Sequence, residues 1–163
     1  MKEYGLAKWR TGIENKQTLV RYGLKKAPHW ESFYDGSWGS SLLFKARSGS
    51  LEVNERTYRF NPRNSKECEH GCIVNGRVAE ETIQHIMTEC SGYSEAMAWA
   101  IDEYKRVMGE DGFREIILRG DEDQGTNFFL GLVEEVPREV VEVTKKYLVW
   151  IWAVRQARVN LGS

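Results

Sequence analysis

Glu80-Glu81-Thr82-Ile83-Gln84-His85-Ile86-Met87-Thr88-Glu89-Cys90 places Ile83, Ile86, Met87 and Cys90 at i, i+3, i+4 and i+7. That spacing predicts an amphipathic helix, and Gly92 beyond it is expected to cap its end. The same stretch holds His85 and Cys90, two side chains with metal-ligating chemistry. Upstream stand the other two cysteines of the chain, Cys68 and Cys72, giving Cys68-x3-Cys72-x12-His85-x4-Cys90.

Three cysteines in a chain expected to be intracellular suit disulfides poorly and a Cys3His zinc site well. Glu69-His70-Gly71 can form a tight turn that brings Cys68 and Cys72 to one ion, with Gly71 free to take a positive φ. His85 and Cys90 are a harder pair. Five residues along an α-helix leave them about 140° from eclipsed. They converge only if the helix ends or tightens near Thr88. The alternative for Cys90 is a plain buried thiol on the apolar face. His70 is a rival ligand, expected to be exposed. Four protein ligands leave a zinc ion no open position, so the expected site, Cys68, Cys72, His85 and Cys90, is structural.

Working outward, helical periodicity recurs through most of the chain. Residues 3–10, 16–27, 40–47, 96–108, 113–118, 128–135 and a long final segment from Pro137 to about Asn160 are expected to be helical. In the last of these Val140, Val143, Tyr147, Ile151 and Val154 form a stripe, broadened by Leu148 and Trp152. Such width means core or a partner helix, and a matching stripe of Met97, Ile101, Tyr104 and Met108 lies on 96–108. Alternation at Leu51, Val53, Tyr58 and Phe60 predicts a short β-hairpin over 51–60. Residues 119–125 read as a solvated acidic loop. The expected architecture is mainly α: a single helical domain over 1–163 with one short hairpin and one Cys3His zinc knuckle.

Composition agrees with a folded chain. Of 163 residues, 41% are hydrophobic and 29% charged, which excludes a disordered class. No run of about 18 apolar residues is present, so no membrane span is expected. MKEYGLAKWRTG lacks the apolar core of a signal peptide, and an intracellular location, nucleus or cytoplasm, is expected. The net charge of −1 conceals a polarity. Residues 1–66 carry 13 Lys and Arg against 6 acids, a balance of +7, while residues 67–163 balance at −8. A basic half can bind polyanions that an acidic half repels. The basic candidates are Lys8, Arg10, Lys16, Arg21, Lys25, Lys26, Lys45 and Arg47, with Trp9 and Trp30 as rings on which bases could stack. The competing reading is that these cations are solvated or pair with acids of the other half. The subdivision is then 1–66 basic and helical, 67–93 zinc knuckle, 94–163 acidic and helical.

Glu81-Thr82-Ile83-x-His85-Ile86-x3-Cys90, followed by Gly92-Tyr93, resembles a segment near the C-terminus of non-LTR (LINE-type) retrotransposon reverse transcriptases. Gly39-Ser40-Ser41-Leu42-Leu43-Phe44-Lys45-Ala46-Arg47-Ser48-Gly49 is similar to the stretch that precedes the zinc knuckle in such elements of arthropods, ticks especially. The resemblance covers about residues 13–93. It implies a nucleic-acid-binding accessory module for RNA or DNA, with Zn2+ as structural cofactor. In that family the first cysteine pair is usually Cys-x2-Cys with fewer residues before the His, so this chain has the longer loop. The polymerase itself is missing: no Tyr/Phe-x-Asp-Asp is present, and Tyr34-Asp35-Gly36 is not one. Without paired metal-binding carboxylates nucleotidyl transfer is not expected.

No glycine-rich phosphate loop of either common kind occurs, and Ser37 or Ser40 in 36–40 reads better as a helix N-cap. Asp121-Glu122-Asp123 lacks EF-hand spacing. Three histidines and no serine motif give no support to a hydrolytic triad. The class standing beside nucleic-acid binding is a zinc-stabilised structural or interaction domain, a host-retained remnant whose protein partner would use the C-terminal helix.

Overall fold

A computed structural model describes residues 7–8, 10–12, 14, 16, 21–24, 31–133 and 135–162. Over these the chain runs α1 (Trp38–Arg47), α2 (Asn54–Phe60), β1 (Ile73–Val74), β2 (Arg77–Val78), a wide helical turn (His85–Glu89), α3 (Ser94–Met108), α4 (Glu110–Arg119), α5 (Glu122–Phe129) and α6 (Arg138–Leu161). A short 3-10 turn at Arg21–Leu24 precedes them. The protein is mainly α, as expected, with one two-stranded antiparallel hairpin among the described residues. No described helix is long and apolar enough to cross a membrane.

The breadth of the α6 stripe is explained by its position between two helices, α1 and α3. Val140, Val143, Tyr147 and Ile151 are buried and Val154 is half-buried. Opposite them Tyr104 is buried, and Met97, Ile101 and Met108 are half-buried. The Tyr104 hydroxyl lies 2.7 Å from the Thr144 hydroxyl, satisfying two buried polar groups at the seam. On the other side Gly39 lets α1 approach closely, because a Cβ there would stand 3.1 Å from Lys145 Cβ. Of the two expected readings of this stripe, core or partner helix, the structure gives core. What α6 leaves at the surface is Trp150, Val159 and Leu161.

Caps set the helix starts. The Ser37 hydroxyl accepts from Ser40 N at 3.1 Å and opens α1. Asp121 accepts from Gln124 N at 2.9 Å and opens α5. That cap overturns the acidic-loop reading of 119–125. Asp123 stands in a first helical turn, where the helix dipole favours negative charge. The helix expected over 128–135 instead ends at Phe129, and Gly131 turns the chain at φ 69.

The expected hairpin over 51–60 is also wrong. Residues 54–60 are helical. Val53 cannot cap them, so Asn54 N donates to Glu81 Oε1 at 3.0 Å and Glu55 N to the Glu81 carbonyl at 3.1 Å. A carboxylate 27 residues away does the capping. The hairpin lies at 73–78, with Ile73 paired to Val78 and Val74 to Arg77. Asn75 and Gly76, at φ 50 and 74, form the two-residue turn with both centres left-handed, which this dipeptide favours.

Candidate metal centre

Cys68 and Cys72 flank a tight turn in which Gly71 N donates to Cys68 O at 2.9 Å, with Gly71 at φ 65. Cys68 N donates to Ala79 O, and Ala79 N to Cys72 O, at 2.8 and 2.7 Å. These bonds fasten the cysteine turn to the base of the hairpin.

His85 and Cys90 come from the wide turn. Thr82 Oγ1 accepts from His85 N at 3.0 Å and starts it. Thr88 Oγ1 donates to the Gln84 carbonyl at 2.8 Å, a side-chain bond that competes with the backbone ladder. Cys90 N then donates to His85 O at 2.8 Å, five residues back. Convergence was expected to need the helix to end or tighten near Thr88. The helix does end there, but by widening rather than tightening, and the widened turn swings Cys90 onto the side of His85. Single turns of this kind are rare overall and frequently fall at functional sites. Tyr147 Oη donates to the Met87 carbonyl at 2.8 Å and ties the turn to α6.

Together these elements put one donor atom each from Cys68, Cys72, His85 and Cys90 within 4.8 Å of one another, a group that could hold a metal ion. Cys90 Sγ lies 3.6 Å from Cys68 Sγ and 3.7 Å from Cys72 Sγ. His85 Nδ1 faces Glu89 Oε2 at 3.3 Å. Its Nε2 is buried, has no hydrogen-bond partner among the described residues, and is the nitrogen left for an ion. A carboxylate on the far nitrogen is the usual way a ligating imidazole is oriented. The residues fit a metal on these observations. Burial pushes the Cys68 and Cys90 thiols up. At Cys72 burial acts the same way, but hydrogen bonds from Ser91, Cys90 and His85 together outweigh it and bring the thiol down to about 6.

His70 is not exposed, contrary to expectation. It is half-buried, its ring edge-on to Tyr93 with centroids 4.8 Å apart, and it lies over Gly92. Any side chain at 92 would collide with that ring, which accounts for Gly92 beside Tyr93 in the motif. His70 stands outside the four-donor group.

The basic candidates are scattered. Lys8, Arg10 and Lys16 are exposed. Lys25 and Lys26, with Trp9 and Trp30, lie outside the described residues. Arg21 is half-buried and pairs with Asp123 at 2.7 Å and Asn127 at 2.5 Å. Lys45 packs its ammonium 5.7 Å from the Trp38 ring centre. Arg47 must be removed from the set. Its side chain is 0% exposed, holding Glu31 at 2.8 Å, the Tyr34 hydroxyl at 2.6 Å and the Gly131 carbonyl at 2.8 Å. No phosphate can reach it. Its neighbours in α1, Leu43 and Ala46, are buried, which is the signal that placed it inward.

Sequence reasoning missed the partners of the centre. Glu89 orients His85, and Glu81 accepts from Glu69 N inside the cysteine turn at 3.4 Å. Glu81 is 0% exposed and pairs with Arg155 at 2.7 Å. No protein-family model matches the chain, and no curated protein or solved structure matches it either.

Proposed function

We propose that the chain is a non-catalytic accessory module for nucleic acid, with one structural Zn2+ held by Cys68, Cys72, His85 and Cys90. The supporting observation is the donor spacing. Two sulfur–sulfur distances of 3.6 and 3.7 Å match the edge of a zinc tetrahedron, about 3.8 Å for Zn–S bonds of about 2.3 Å. Thiolates with one imidazole suit zinc rather than a hard cation. Four protein donors leave no position for substrate or a reactive water, so the ion would tie the cysteine turn to the wide turn and do no chemistry.

The nucleic-acid part is supported by the basic balance of residues 1–66 and by the resemblance of 39–49 and 81–93 to retrotransposon segments. With Arg47 buried and Arg21 paired, phosphate contact falls to the cations left at the surface. The test joins two measurements on the full chain purified under reducing conditions. Elemental analysis should give one zinc per chain. Titration of labelled oligonucleotides should give affinity that falls steeply with salt. Zinc without salt-sensitive binding would favour the interaction-domain reading instead.

A further inference from the structure

We propose that segment 56–66, the greater part of α2 with the loop after it, is a binding surface for single-stranded nucleic acid. The inference rests on the nucleic-acid reading above and assigns it to residues outside the original basic set.

The segment reads Arg-Thr-Tyr-Arg-Phe-Asn-Pro-Arg-Asn-Ser-Lys, with four cations and no acid. Two exposed rings lie among these cations. Tyr58 is 36% exposed and Phe60 69% exposed. α2 has no buried residue at all, so these rings contribute nothing to the core. Each has a cation beside it. The Arg56 guanidinium stands 4.9 Å from the Phe60 ring centre, and the Lys66 ammonium 5.8 Å from that of Tyr58. A ring backed by a cation on one face can stack a base on the other while the cation meets the phosphate, which is how strand-binding grooves combine the two groups.

The acids nearby do not neutralise the surface. Glu55 pairs with Arg59 at 2.8 Å and Glu80 pairs with Lys66. Both are exposed pairs, which hold weakly and give way to phosphate. Arg63 is exposed and makes no ion pair among the described residues. Arg56 and Arg59 also line a cleft of about 290 Å³ beside the helix, in whose wall Arg21 and Asp123 pair with each other at 2.7 Å. The surface is held still, because the first turn of α2 is fixed to Glu81 and through it to the cysteine turn. The occupant is single-stranded because exposed rings can stack only on bases free of a duplex. Cations read phosphate and rings read base faces, so neither sugar is excluded.

The test uses the zinc-loaded full chain and fluorescence anisotropy with labelled dT20, a 20-base-pair duplex and polyglutamate. The dT20 strand should bind at least about tenfold tighter than the duplex, and polyglutamate should not bind. Tyr58→Ala with Phe60→Ala should weaken dT20 binding about tenfold and leave duplex binding within about twofold. Four phosphate contacts give a log–log salt slope of about −3 for a single strand, and Arg59→Glu with Arg63→Glu should roughly halve it. All four side chains are at the surface, and unchanged thermal melts would confirm that the variants fold. Wild-type affinity in the double-alanine variant overturns the proposal, as does equal binding of polyglutamate. Loss confined to Lys8→Glu with Lys16→Glu overturns this surface while keeping the nucleic-acid reading. Failure of the wild type to bind either nucleic acid overturns both.

Discussion

The backbone N–H of Cys90 donates to the carbonyl of His85 at 2.8 Å, one residue beyond the span of an α-helical turn. That bond brings together two ligands which regular helix geometry holds apart. It makes the centre depend on both side chains separately. His85→Ala should abolish stoichiometric zinc, whereas His85→Cys, which restores a four-donor set, should retain it. Glu89→Gln should keep the ion but weaken it about 10–100-fold, since it loosens only the orientation of the imidazole. Competition against a chromogenic chelator reads all three. Unchanged affinity in Glu89→Gln would show that the Nδ1 contact does not matter.

Metal removal should be felt locally. The ligands lie within 68–90, while the buried cluster extends through α1, α3 and α6. Chelation should therefore lower the melting temperature and expose the backbone of 66–93 to hydrogen exchange. Helical circular dichroism should largely persist, unlike an isolated finger, which unfolds without its ion. Complete loss of the helical signal on chelation would mean that the ion holds the whole fold.

Hydrogen bonds from Ser37 and from Lys145 hold the Asp35 carboxyl well below the usual carboxylate range. Lys145 moves the opposite way. Burial lowers it, but Asp35 and Glu142 outweigh that and raise it. A carboxyl lowered on folding adds stability above its unfolded value, about 4, and loses it as pH falls further. The lysine's share is present at neutral pH and fades only at high pH. Asp35→Asn should thus lower the melting temperature at pH 7, and its gap to wild type should shrink between about pH 4 and pH 2. A gap constant over that range would remove the pair from the acid response.

Ile151 is 0% exposed on α6, between α1 and α3. Ile151→Ala should cost about 2–5 kcal/mol in urea unfolding, because the cavity left there has packed helices on both sides and cannot collapse readily. A loss below about 1 kcal/mol would contradict the packing.

The helices and metal donors were legible because both are written in spacing. Apolar residues at helical intervals marked α3 and α6, and four soft ligands in 23 residues marked the centre. What failed did so for identifiable reasons. Alternation at 51–60 looked like a strand because the capping group of α2, Glu81, is remote in sequence. The true hairpin carried the Asn75-Gly76 turn signal, but the six residues from Ile73 to Val78 were read only as the loop joining ligands. Asp121 as an N-cap was hidden among acids that resembled a solvated loop. Arg47 was counted among surface cations, and nothing local announced Glu31, Tyr34 and Gly131 as its partners.

The Glu81 carboxylate joins three parts of the molecule. Oε1 accepts from Arg155 Nε at 2.9 Å and from Asn54 N at 3.0 Å, while Oε2 accepts from Glu69 N at 3.4 Å. Arg155 Nη2 completes the ring by donating to Asn54 Oδ1 at 2.9 Å. α6, α2 and the cysteine turn thus share one buried charge pair. Glu81→Gln keeps the shape but leaves the Arg155 charge without its counter-ion, which should cost about 3–5 kcal/mol. Arg155→Met should be harmful too, since it strands the carboxylate. The double variant, with neither charge buried, should recover part of the loss, giving a clear coupling in the double-mutant cycle. Urea unfolding with zinc in excess measures the four stabilities without confounding by the ion. Zinc affinity should also fall in Glu81→Gln, because Glu69 N sits between Cys68 and Cys72 and loses its fixed acceptor. Additive losses, with the double variant no better than the sum of the singles, would mean that Glu81 and Arg155 stabilise their elements independently and that the pair does not bind the metal turn to the helices.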